Sequence, residues 1–274
     1  MPKQLNRTAY RLTESAIMLA FAAVLSVIKI VDMPYGGSVT AFSMLPLLII
    51  AYRYGTKWGL VTAFTYSLIQ LLLGLDNFAW VQGFASYVTL AVFDYLLAFL
   101  VLGLGGLFRR KDWSQGTSLA VASVVTGLLR YLCHVVSGFT VWRDMSVPFG
   151  QSLAYSLSYN ATYMIPEILL LVFGSVYLSR FLSFESAEIT RAEARRSVGG
   201  GALAVSVVAK TVALAAAVWV VALVSPALQN AESGELFLKG FSAVPWCTVG
   251  IVAACGGVGW LVLEWVSRWM RREK

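Results

Sequence analysis

The sequence predicts an all-α polytopic membrane protein, a six-helix bundle followed by two further transmembrane helices. Three observations carry that reading: composition, eight apolar segments, and the placement of Lys and Arg between them. The 274 residues are 58% hydrophobic and only 13% charged, with a mean hydropathy of +0.74. Soluble chains carry about 25% charged residues, so this one lacks the polar surface to cover a globule in water. The net charge of +7 therefore does not signal nucleic acid, and the composition argues against a cytosolic enzyme. In a membrane chain, excess Lys and Arg set orientation and meet anionic lipid.

The apolar segments cover residues 15–31, 41–51, 59–73, 81–108, 118–142, 153–182, 202–224 and 244–265. The first follows a basic start and runs into Lys29 and the Met33-Pro34 turn; it lacks the small-residue cleavage site of a signal peptide. The second is too short to cross a core of about 30 Å and contains Pro46, so a short or broken helix is expected. The third lies between Tyr54-Gly55 and the turn signal Gly74-Leu75-Asp76-Asn77. The fourth is uncharged except for Asp94. The fifth and sixth are separated by Pro148-Phe149-Gly150.

A charged stretch holding Glu185, Glu188, Arg191, Glu193, Arg195 and Arg196 then ends in Gly199-Gly200-Gly201. This gives three expected regions: a six-helix domain at 1–182, a cytoplasmic linker at 183–201, and a two-helix extension at 202–274. The seventh segment is nearly all Ala and Val around Lys210. The eighth carries Gly250, Ala253, Ala254 and Gly257, small residues that allow close helix packing. Cys133, Cys247 and Cys255 fall in apolar runs and fit no metal or redox spacing.

Loop charge supports this layout. If all eight segments cross, 16 basic residues fall on one side and only Arg143 and Lys239 on the other. The positive-inside rule then predicts a multi-pass cell-membrane protein with both termini in the cytoplasm.

Ionisable groups within apolar segments mark function, because each must be compensated there. Lys210 and Glu264 lie near segment ends, where long side chains reach the interface, and Lys29 has the same option. Asp94, Arg130, His134 and Glu167 lie deeper. Arg130, His134, Gly138 and Trp142 follow at four-residue steps and share one helix face. The sixth segment carries Tyr155, Tyr159, Asn160, Tyr163 and Glu167.

Asp94-Tyr95 completes a set of three polar, aromatic stripes on the fourth, fifth and sixth helices. Together they suit a planar, cationic ligand that accepts and donates hydrogen bonds. Asp94 supplies a carboxylate, with Arg130 or the ligand's cation as its expected counter-charge. Gly138 lets a ring approach the backbone. No nucleophile elbow, metal motif or phosphate loop is present, so neither catalysis nor a cofactor is expected.

These residues resemble the thiamine-specific substrate-binding (S) component of energy-coupling factor (ECF) transporters, the ThiT type. The resemblance lies in Met33-Pro34-Tyr35-Gly36-Gly37-Ser38, Arg53-Tyr54-Gly55 with Trp58-Gly59-Leu60, and Asp94-Tyr95. It continues in Arg130-Tyr131, His134, Ser137-Gly138, Trp142 and Ala154-Tyr155-Ser156 with Asn160, covering residues from about 10 to 182. It implies a six-helix S-component bundle with a thiamine site near the outer surface, thiamine being cargo rather than cofactor. The implied site residues are Asp94, Tyr95, Arg130, His134, Gly138, Trp142, Tyr155 and Asn160. The implied partners are a membrane scaffold subunit, met by small residues such as Ala16, Ala20 and Ala23, and two cytosolic ATPases. Asp94 stands where the family often has Glu, Arg130 where Lys also occurs, and Gly37 where some members place an aromatic residue.

The residues themselves leave other readings open: another vitamin-specific S component, or a secondary transporter for an amine or aromatic solute driven through Asp94, Arg130 or Glu167. An intramembrane enzyme is the reading from a third class. The last ~90 residues have no counterpart in the resembling family.

Overall fold

The computed structural model describes residues 7–33, 36–141, 148–186, 188–192, 200–224 and 244–272. They form two compact units, one of Met1–Val176 with Phe184–Ile189 and the other of Tyr177–Ser183 with Thr190–Lys274. Helix α1 spans Arg7–Val27, and an antiparallel hairpin follows it, β1 (Lys29–Asp32) with β2 (Ser38–Thr40). Then come α2 (Leu45–Tyr54), α3 (Thr56–Leu73), a 3₁₀ turn at Leu75–Trp80, α4 (Phe84–Phe108), α5 (Gln115–Val141) and α6 (Phe149–Phe181). A two-residue ladder, β3 (Leu182–Ser183) with β4 (Thr190–Arg191), precedes α7 (Gly200–Val224) and α8 (Trp246–Arg272). Among the described residues, five helices are long and apolar enough to cross a membrane: α1, α4, α5, α6 and α8.

α2 is the core of the first unit. Its first seven residues, Leu45 to Ala51, are apolar all round, and every residue from Leu45 to Arg53 is buried. A helix with no polar face must be enclosed by others; Leu47, Leu48 and Ile50 are fully buried, as are Met44, Tyr66, Leu102, Leu119, Met164 and Leu171 elsewhere in the unit. Pro46 does not interrupt this helix as expected. It sits in the first turn, where the missing N–H costs nothing.

Two further expectations change at the hairpin. The first apolar segment is not helical to residue 31: α1 stops at Val27 and the chain turns into β1. Lys29 and Asp32, both exposed, pair at 3.0 Å within that strand. The hairpin closes through Gly36 and Gly37 at φ +94° and +86°, a conformation that side chains with a Cβ rarely adopt.

At the opposite end of α2, Arg53 is buried. Its Nε lies 2.6 Å from Glu14 Oε1 of α1, and Nη2 donates to Glu14 Oε2 at 3.1 Å. Nη1 donates to the carbonyls of Phe184 and Ser186 at 3.1 and 3.3 Å. Tyr52 donates to Glu185 at 2.9 Å, and Phe184 N–H donates to Gln115 Oε1 at 2.7 Å. The start of the expected 183–201 linker is thus fastened to the first unit, because the polar end of a buried helix needs partners and these residues supply them. Residues 193–199 of that linker lie outside the described residues.

In the second unit, Lys210 and Glu264 face each other rather than reaching separately for the interface. Lys210 Nζ lies 3.7 Å from Glu264 Oε2 and donates to Ser206 Oγ at 2.7 Å. Ser206 in turn donates to Glu264 Oε2 at 3.1 Å, and Arg268 Nε lies 3.9 Å from Oε1. α7 and α8 meet through this cluster, and a Cβ at Gly256 would lie 2.2 Å from that of Ala216.

The Glu14–Arg53 pair gives the first test. Arg53→Met leaves a buried carboxylate without its cation and frees two backbone carbonyls. A loss of about 3–5 kcal/mol is expected, read as a lower unfolding midpoint in detergent. A midpoint equal to that of the unsubstituted protein would mean the pair holds nothing together.

Candidate ligand-binding site

α4 is not uniformly wound. Its turns are α over Phe84–Thr89, widen to π over Leu90–Leu97, return to α at Ala98–Leu100, and tighten to 3₁₀ over Val101–Phe108. The wide turns contain Asp94 and Tyr95, and such turns collect at functional sites. The two neighbours part company here. Asp94 faces α5: its Oδ1 shares a hydrogen bond of 2.8 Å with His134 Nδ1, and its Oδ2 accepts from Ser137 Oγ at 2.7 Å. With the carboxylate ionised, Nδ1 carries the proton and donates.

Tyr95 points instead at the end of α3. Its hydroxyl donates to the Gly74 carbonyl at 3.0 Å and accepts from Asn77 Nδ2 at 2.7 Å. Its ring stacks on Phe78 with centroids 6.0 Å apart.

The expected polar edge of α5 is present, but its members do different work. Arg130 does not pair with Asp94. Its Nη1 donates to Met44 Sδ at 2.9 Å, and its guanidinium carbon lies 4.3 Å over the Phe99 ring. It sits one turn, about 6 Å, from His134 along the axis. Gly138 faces a helix rather than an open ring space: a Cβ there would lie 2.5 Å from Ser156 Oγ and 3.1 Å from Asn160 Nδ2. Its lack of a side chain lets α5 and α6 approach. Trp142 lies outside the described residues, as do Pro34 and Tyr35 of the hairpin turn.

α6 closes the cluster. Asn160 Nδ2 donates to the Ser156 carbonyl at 2.8 Å and to the His134 carbonyl at 3.3 Å, and Asn160 Oδ1 accepts from Tyr163. The Tyr163 ring meets His134 edge-on, centroids 5.8 Å apart, and covers Gly37, where a Cβ would come within 2.7 Å of it. Tyr155 stacks on Tyr159 at 5.9 Å. The Tyr159 hydroxyl donates to the Gly36 carbonyl at 2.8 Å, tying the hairpin to α6.

Asp94, His134 and Asn160 thus converge, with Tyr155 on the same aromatic row of α6, while Tyr95, Arg130 and Gly138 stand around them. Two buried polar atoms of this cluster have no hydrogen-bond partner among the described residues: His134 Nε2 and Arg130 Nε. Unpaired polar atoms are costly in a low-dielectric interior, and these two belong to the side chains at the centre and floor of the cluster. Ser137 and Asn77 were missed as members. Neutral residues leave no mark in a hydropathy pattern, though Asn77 follows a glycine turn and Ser137 falls one turn from His134 at a three-residue step.

The fold is that of a multi-pass helical membrane protein, and its helices enclose this polar, aromatic cluster. Residues 12–184 match the family described as Thiamine transporter protein (Thia_YuaJ), and the chain belongs to that family. It is 34% identical over 176 residues to the thiamine transporter ThiT of Bacillus subtilis (strain 168), covering 60% of this chain and 88% of the relative. A solved structure of ThiT from Listeria monocytogenes superposes with a TM-score of 0.51 at 23% identity, over 64% of this chain and 95% of that one. That likeness shows the fold of a helical membrane protein. The family match ends at residue 184, so α7 and α8 lie beyond it.

The α5–α6 approach gives a direct test. Gly138→Ala puts a methyl against the Ser156 hydroxyl, an overpacking that costs about 1–3 kcal/mol. Adding Ser156→Ala removes the opposing oxygen and should restore most of the thermal stability. A single variant as stable as the parent would show that the helices are not in contact there.

Proposed function

We propose that this chain is the high-affinity thiamine-binding subunit of an ECF-type importer. The observation that carries the reading is the family match, because residues 12–184 contain all eight candidate site residues. The chemistry agrees. Thiamine presents a cationic ring and an aminopyrimidine. Asp94 answers the positive charge, and the free His134 Nε2 and the amide of Asn160 answer the pyrimidine. Trp142 and the stacked Tyr155 supply ring faces. Tyr95, Arg130 and Gly138 shape the surroundings.

Energy comes from partners in this reading. The sequence holds no phosphate-binding loop, and a scaffold subunit with two cytosolic ATPases would drive uptake. Ala16 and Ala20 on α1 are exposed beside Leu12, Ile17 and Phe21, which supports a small-residue face open to a membrane partner. The 16-to-2 distribution of basic residues supports cytoplasmic termini.

The test is a titration of the purified chain with thiamine, followed by tryptophan fluorescence. Saturable quenching is expected. Asp94→Asn keeps the size and an acceptor but removes the charge, and should weaken binding by about 2 kcal/mol, roughly thirtyfold. Unchanged affinity would remove Asp94 from the site, and no quenching in the parent would end the thiamine reading. Uptake by the chain alone, in vesicles given only an ion gradient, would favour a secondary transporter.

Orientation is tested separately. A cysteine at Asp112, in the loop between α4 and α5, should react only from the cytoplasmic side. One at Asp76, in the 3₁₀ turn after α3, should react only from outside. Outside labelling at position 112 would invert the topology.

A further inference from the structure

The site contains a buried charge with no part in the binding scheme above. Glu167 follows Pro166 on α6 and is only 2% exposed. Its Oε1 accepts both the backbone N–H and the hydroxyl of Thr40, at the end of β2, and Thr40 Oγ1 also meets Ser43 Oγ at 2.7 Å. Arg130 reaches the same corner from α5, since its Nη1 bonds to Met44, the residue after Ser43. Glu167 and Arg130 therefore close on Thr40–Met44 from two helices. Among the described residues, no carboxylate lies within the 4.0 Å ion-pair distance of Arg130. Asp94 is spoken for by His134 and Ser137.

The charge count gives this arrangement a consequence. With His134 uncharged, the site holds two carboxylates, Asp94 and Glu167, and one guanidinium, a formal charge of −1. A singly charged organic cation brings the enclosed total to zero. Without Glu167 the empty site is already neutral, and the Arg130 charge opposes a cation beside Asp94. Opposed and compensated charges in a low-dielectric interior are felt over several Å, so this contribution does not need contact.

We infer that Glu167 is a positioning and specificity-determining residue: it offsets Arg130 at the floor of the site, so that the charge of Asp94, held in place by His134 and Ser137, selects a monocationic ligand. The inference deepens the proposed thiamine reading and rests on it. Glu167 does this through Arg130 and the Thr40 corner, without touching the ligand. Thr40 holds the carboxylate still, and the Phe99 ring face holds the guanidinium.

The experiment compares thiamine with an uncharged isostere, in which a neutral thiophene replaces the thiazolium ring, on the purified full chain. Glu167→Gln keeps an acceptor for Thr40 and removes the charge. It should weaken thiamine binding about tenfold to hundredfold and leave the neutral isostere within about threefold. Glu167→Gln combined with Arg130→Met removes both charges and should bind thiamine more tightly than Glu167→Gln alone, because the opposing guanidinium is gone. Equal losses for both ligands, accompanied by a lower melting temperature, would reduce Glu167 to a structural anchor for the hairpin and overturn the inference. So would a folded double variant that binds thiamine no better than the single one. A parent chain that binds the neutral isostere and thiamine equally also overturns it, whereas a parent that binds neither overturns the thiamine reading itself.

Discussion

A carboxylate enclosed between helices in a bilayer has no water to turn to, so its partners must come from the protein or its cargo. Asp94 meets that constraint by binding α4 to α5 through His134 and Ser137. The rest of the site follows from that link. Holding His134 against Asp94 leaves its backbone carbonyl to accept from Asn160, and α5 and α6 can come that close only because Gly138 has no side chain. Glu167 then carries the chain of contacts from α6 to the hairpin. The groups that would recognise a ligand are thus the same groups that fix helix spacing.

That double use explains the irregular winding of α4. A regular helix aims neighbouring side chains about 100° apart and repeats the pattern without change. α4 must send Asp94 to α5 and Tyr95 to the end of α3, then bring its last two turns close against α2 and α3. Widening over Leu90–Leu97 and tightening over Val101–Phe108 meet those demands in one rod. Tyr95 is fully engaged by Gly74, Asn77 and Phe78. Its role is to seat α4 rather than to offer a free hydroxyl.

The helical architecture was legible because burial in lipid demands long apolar runs, and the eight segments correspond in order to α1–α8. The stripe on α5 was legible because His134 and Arg130 are spaced by one turn. The pairings were not. Charge alone offered Asp94 either Arg130 or a ligand's cation, whereas geometry gives it a histidine and a serine and sends Arg130 to a thioether and a phenyl ring. Periodicity says which face a residue occupies but nothing of the helix opposite. The hairpin was hidden for another reason: Lys29–Asp32 and Ser38–Thr40 are too short to show an alternating pattern beside a long apolar helix.

The second unit meets the same constraint with different means. Lys210 and Glu264 looked like two independent charges near helix ends, each able to reach water by itself. In the fold they share Ser206, with Arg268 beside Glu264, so one cluster gives α7 and α8 a fixed register. Apolar faces alone would not do this, because Ala and Val along α7 offer many equivalent ways to slide against a small-residue helix. A charge pair has only one alignment in which neither member is left bare in hydrocarbon. The extension beyond residue 184 therefore carries the instruction for its own pairing within its own two helices.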